Sequence, residues 1–298
     1  MFAATLATGF FALSIIFAQR SLPAAGQMRA NLGRLVVAAL ALGLYAHSFG
    51  TGFRSASTGW LLASGVVGMG LGDLALFMAL PRLGSRLSLL ITQCLAAPIA
   101  AVCEWLWLDT YLSAGQIGFS AVILGGVAFA FMPDRKNPPQ VKLHWTGFVL
   151  GILSAAGQGI GAIITRKGNL VAIAAGEGQL DGINAAYHRI LGGLVLTAVW
   201  FALLNGRRWS QPRLSDAPAR PRYSWVVANG LAGPVIGVSC YQWALATTPS
   251  GIVLPIVAMS PLVAIPLAWW LEGDRPTTRS ILGGVLAVAG VIGMTLVR

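Results

Sequence analysis

Ten apolar stretches, each close to 20 residues long, follow one another along the 298-residue chain with little between them. A stretch of that length crosses a hydrocarbon core about 30 Å thick as a helix. The stretches lie at about 2–19, 29–46, 57–80, 85–107, 113–132, 145–165, 183–204, 223–246, 250–271 and 277–297. Backbone polar groups in lipid must be satisfied within the segment, so the fold class is an all-α polytopic membrane protein of ten transmembrane helices, multi-pass in the cell membrane. The first stretch lacks both a basic start and a cleavage pattern, and reads as a retained span.

The remaining composition leaves few other classes open. Hydrophobic residues make up 56% and charged residues 10%, against roughly 25% charged for a soluble domain. The net charge of +11 is spread over short connections, which fits cytoplasmic loop charge and not nucleic-acid binding. Cys94, Cys103 and Cys240 sit in separate apolar stretches and His47, His144 and His188 are scattered. Neither a disulfide nor a metal site follows, and no cofactor is implied.

The chain also repeats. SRLSLLITQCLAAPIAAVCEWLWLDTYLSAGQIGFSAVILGG from Ser85 matches SGIVLPIVAMSPLVAIPLAWWLEGDRPTTRSILGGVLAVAGV from Ser250 in outline. Ser85 and Ser250, Gly118 and Gly283, and Gly125 and Gly290 are each 165 positions apart, and Pro98 and Pro261 each precede an acid, Asp109 and Glu272, by eleven. Arg34 and Arg189 stand alike near the openings of the second and seventh spans. A five-span unit crosses an odd number of times, so its second copy enters upside down. Equivalent loops carry opposite charge bias, as inversion requires: Arg54 alone after span two against five arginines after span seven, Arg82 and Arg86 after span three against none after span eight, and none after span four against Arg275 and Arg279 after span nine. The units are 1–132 and 145–298, joined by a linker at 133–144.

GLGDLALFMALPRLGSRLSLLI from Gly70 and YQWALATTPSGIVLPIVAMSPLVAIPLAWWLEGDR from Tyr241 resemble the two EamA repeats of the drug/metabolite transporter superfamily. The resemblance implies ten helices around a central cavity and secondary transport, usually export, of metabolites such as amino acids. The expected partners are the lipid bilayer, a small-molecule substrate and a coupling proton or ion, with the protein a monomer. Loop charge places the termini outside; the resemblance implies cytoplasmic termini.

Alternating access needs inward polar groups near the midplane and helices able to bend. Asp73 is the one aspartate well inside an apolar stretch, where a carboxylate costs roughly 2.5–3.5 kcal/mol. It can take up a proton, meet a cationic substrate group, or pair with Arg34 or Arg189. Those arginines read as membrane-end residues that snorkel, and Glu104 as an interface residue. Gln93 and Gln158 are candidate cavity residues. So are Tyr241, Gln242 and Trp243, although at 100° per residue these three cannot share one face. Pro98, Pro255, Pro261 and Pro266 are candidate hinges, since each removes a helical hydrogen bond. Gly70 to Asp73 also spell G-x-G-D, a mark of intramembrane aspartyl proteases, but that chemistry needs a second membrane aspartate and Asp109, Asp134, Asp181, Asp216 and Asp274 fall at span ends or in loops. A non-transporting scaffold is the third reading.

Overall fold

The structure, a computed structural model, describes residues 1–25, 27–132, 143–205, 223–272 and 277–297. Most of the linker 133–144, the arginine-bearing loop between the seventh and eighth spans, Asp134, Asp216, Asp274 and Arg275 lie outside the described residues.

The fold is all helical: α1 Phe2–Ala25, α2 Gln27–Ser48, α3 Thr58–Gly65, α4 Asp73–Leu108, α5 Ala114–Phe131, α6 Trp145–Ala174, α7 Gly182–Asn205, α8 Ser224–Gly230, α9 Val238–Thr247, α10 Ser250–Val257, α11 Ser260–Glu272 and α12 Thr278–Leu296. A π-helical segment, π1 (Val66–Gly72), joins α3 to α4, and another, π2 (Leu231–Gly237), joins α8 to α9. Nine described stretches are long and apolar enough to span a membrane. The eighth of the ten expected spans, Ser224 through Thr247, is continuous helix but falls short in hydropathy, because Asn229, Ser239, Tyr241 and Gln242 lie along it and all turn inward.

The third and fourth spans, Thr58–Ser85 and Leu87–Leu108, part as expected, at a kink within α4 where Gly84 has a φ of 77° that favours glycine. Two expectations about boundaries are corrected. The sixth span does not stop at 165. The apolar run at 170–175 continues the helix past Gly168, so α6 runs to Ala174 and takes Arg166 and Lys167 out of the loop. The ninth span is two helices, parted at Ala258 and Met259.

The prolines explain that break and its tolerability. Pro261 lies in the first turn of α11, where a missing N–H costs little, and the Ser260 hydroxyl donates to the carbonyl of Val257 at 2.6 Å, the group Pro261 leaves unbonded. Pro255 frees the carbonyl of Gly251, and the Ser120 hydroxyl of α5 donates to it at 3.2 Å. Neighbouring side chains thus replace the donors that proline removes.

Packing is reciprocal between the two halves. The third span lies against the sixth and seventh, and the eighth lies against the first and second; α4 packs on α6 as α10 and α11 pack on α1; α2 meets α7 and α5 meets α12. These pairs correspond when the halves are exchanged, but α9 also packs on α7 and α10 on α5, without comparable packing of α4 on α2 or α12 among the described residues. Gly126 and Gly283 approach back to back, since a Cβ on either would come within 2.6 Å of the other's carbonyl oxygen. Gly118 and Gly125 instead face open space, so the 165-residue matches Gly118 with Gly283 and Gly125 with Gly290 do not pair equivalent environments.

Candidate functional site

Interior polar residues come together where π1 crosses α6. Gly157 and Gly161 lie against Gly72 and Gly68, and a Cβ on either α6 glycine would come 2.8–3.0 Å from the facing Cα atom, so glycine is required at 157 and 161. A π turn admits one more residue than an α turn and loosens the hydrogen-bond ladder. Here the carbonyl of Gly68 accepts from Gln158 Nε2 at 3.3 Å. The same amide donates to Asp73 Oδ1 at 2.9 Å, and Arg34 Nη2 approaches Asp73 Oδ2 at 3.4 Å. Arg34 Nε donates to Asn31 Oδ1 at 2.8 Å, one turn earlier on α2. Asp73 is therefore ion-paired and amide-bonded across α2, α4 and α6, with the side chains of Arg34 and Asp73 22% and 15% exposed.

Arg189 occupies the eighth position of α7 as Arg34 does of α2. It is not a membrane-end residue. Only 2% exposed, it donates from Nη1 to Ser64 Oγ at 2.6 Å, Thr165 Oγ1 at 3.1 Å and the carbonyl of Gly161 at 3.2 Å. Snorkelling fails because seven residues of helix place it about 10 Å in, with three acceptors waiting there. Its guanidinium lies over the Tyr241 ring, 5.4 Å from the centroid.

The other expected site residues divide. Tyr241 and Gln242 are buried, and Gln242 Nε2 donates to the carbonyl of Ala185 at 3.4 Å. Trp243 is 47% exposed and meets Phe2 edge-on at a centroid distance of 6.4 Å. Gln93 is half-buried, away from the bonds that join Asp73 to its partners. Pro98 and Pro266 are exposed, whereas Pro255 and Pro261 are buried.

A second charged cluster was not foreseen. Glu104, expected at the interface, is buried, and ion-pairs with Arg166 Nε. Its other oxygen accepts from the Ser250 backbone N–H at 2.7 Å and from the Ser250 hydroxyl, putting a carboxylate at the start of α10 where the helix dipole favours it. Arg166 Nη1 donates to the carbonyls of Leu245 and Thr248, both at 2.8 Å. The signal in the sequence was the apolar run at 170–175 beyond Arg166, which carries the helix past it. His188 was likewise passed over; it is fully buried against Phe53 and Tyr187.

In the connection after α6, Glu177 accepts from Ser55 Oγ at 2.6 Å and from the Ala56 N–H at 2.7 Å. These two bonds, the hydroxyl first, hold its carboxyl below the usual glutamate range. Two cavities stand outside the polar cluster. One of about 490 Å³ is lined by residues including Pro98, Trp105, Tyr111 and Pro255. The other, of about 480 Å³, is lined by residues including Leu42, Asp181, Ser239 and Trp243.

No second aspartate joins Asp73 among the described residues: Asp109 ends α4 in a left-handed conformation and Asp181 precedes α7. Compared with known proteins, residues 145–296 match the EamA-like transporter family. No curated protein matches the chain. A crystal structure of another protein superposes with a TM-score of 0.74 over 99% of this chain and 94% of that one, at 15% identity, a likeness of fold.

Proposed function

Because the chain belongs to the EamA-like transporter family, whose members are membrane transporters and not enzymes, we propose that it is a secondary transporter of small polar metabolites such as amino acids, working as an exporter by alternating access. The observation that carries this reading is the interior constellation of Arg34, Asp73, Gln158 and Arg189 at the crossing of π1 with α6. Charges in a membrane interior are costly and mark substrate or ion paths.

The reading takes residues 1–132 and 145–298 as two inverted five-helix units. Two observations support it. The π segments sit at corresponding places, Val66 and Leu231 being 165 positions apart, as are Gly72 and Gly237. The third span packs on the sixth and seventh as the eighth packs on the first and second. Tyr241 and Gln242 line the site with the interior cluster, and the division of the ninth span at Ala258 and Met259 is where that helix bends between states.

The test is counterflow in proteoliposomes preloaded with a metabolite panel. A carrier shows saturable exchange with at least one compound. A scaffold shows none, and that result ends the transport reading.

A further inference from the structure

We infer that Arg189 is the anion receptor of the transport site, so that the substrate carries a carboxylate or another planar anionic group. This deepens the transport reading above and rests on it.

Charge is the first argument. In the constellation at π1, Asp73 neutralises Arg34, while the partners of Arg189 among the described residues are two hydroxyls, a carbonyl and an aromatic face. One positive charge is left over. Asp73 acts electrostatically on both arginines and cannot balance both; a buried net charge is expensive, and a ligand that brings a negative charge recovers that cost on binding.

Geometry is the second. A guanidinium has five N–H donors in a rigid plane, and the hydrogen bonds of Arg189 to described residues all leave from Nη1. Nε and Nη2 remain. Together they form the edge that meets both oxygens of a carboxylate in parallel. Glycine at 68 makes room for Nη2, since a Cβ there would come within 2.7 Å of it. With Nη1 fixed by Ser64 and Thr165 and the plane lying over Tyr241, the edge is oriented before a guest arrives.

The experiment uses the full chain in proteoliposomes and a panel of neutral amino acids, their carboxamides, dicarboxylates, a polyamine and a hexose. The expected result is exchange of one or more carboxylates, with KM at least about tenfold higher for the matching carboxamide. Exchange confined to the polyamine or the hexose would overturn the anion assignment and leave the transport reading standing; no exchange at all removes both. Arg189→Gln is expected to bring the acid-to-amide ratio of KM values toward one, and Arg189→Lys to retain part of it. Loss of activity toward acid and amide alike, with their ratio unchanged, would make Arg189 a packing residue and overturn the assignment. Should Arg189→Gln fail to fold, Arg189→Lys carries the test: an acid-to-amide ratio of KM values unchanged from the unaltered protein would overturn the assignment.

Discussion

The hydroxyl of Ser120 on α5 donates at 3.2 Å to the carbonyl of Gly251 on α10, the acceptor that Pro255 deprives of its helical donor. The bond ties the fifth span to the ninth at a carbonyl the proline leaves open.

Ser120→Ala is therefore expected to destabilise the protein by about 0.6–1.5 kcal/mol, and to cost less in a Pro255→Ala background, where the new N–H at 255 can reach Gly251. Reversible unfolding of the four proteins in mixed micelles measures the coupling. Equal cost in both backgrounds would show that Ser120 does not substitute for the proline.

Glu104→Gln leaves Arg166 buried without its counter-charge and is expected to cost about 3–5 kcal/mol. Adding Arg166→Met should restore part of that, because the pair is then removed together; the carbonyls of Leu245 and Thr248 keep the restoration incomplete. Melting temperatures of the single and double variants check the sign. A double variant that melts no higher than Glu104→Gln would contradict the pairing.

For Asp73→Asn the geometry favours a structural outcome. Arg34 loses its counter-ion while Gln158 keeps an oxygen to donate to. Lower expression and melting temperature are expected, with the pH profile of residual transport unchanged. A pH response that disappears in the Asn variant would make Asp73 the proton site instead.

Glu177 sets a pH window. Its carboxyl titrates below the usual range because Ser55 and Ala56 donate to the ionised form. The unfolded chain therefore takes up its proton first as the medium is acidified. The contribution of this contact is fully present above the ordinary glutamate value of about 4.3, and is lost as pH falls through the lower folded value. Protection of the Ala56 amide from hydrogen exchange, compared between the wild type and Glu177→Gln, should differ at neutral pH and converge in acid. A difference that persists undiminished to pH 2 would refute the assignment.

Most of the architecture was readable because lipid imposes a length on every crossing, and apolar runs of that length are hard to mistake. What escaped reading turned on local events that hydropathy averages away. The ninth span divides at Ala258 and Met259 without a polar loop to announce it. Arg166 looked like loop charge because arginine commonly ends a span, and only Glu104, more than sixty residues earlier, reveals why it is inside. In the site, Asp73 stood out because a lone carboxylate in an apolar run demands a partner. Its choice of Arg34 over Arg189 depends on how π1 turns the chain, which periodicity does not show. Both π segments could have been found: Gly65, Gly68 and Gly72 recur as Gly230, Gly233 and Gly237.

A π turn is an α turn carrying one surplus residue, and that makes the third span tolerant of a deletion that its apolar neighbours would not absorb. Removing one residue from a regular helix swings everything downstream by about 100°. Removing one from Val66–Gly72 lets the wide turn close to an ordinary one, and Asp73 keeps its bearing toward Arg34 and Gln158. What is lost is local: the Gly68 carbonyl, which the loosened ladder offers to Gln158, returns to its own helix. The surplus residue thus lends an acceptor to a neighbouring helix.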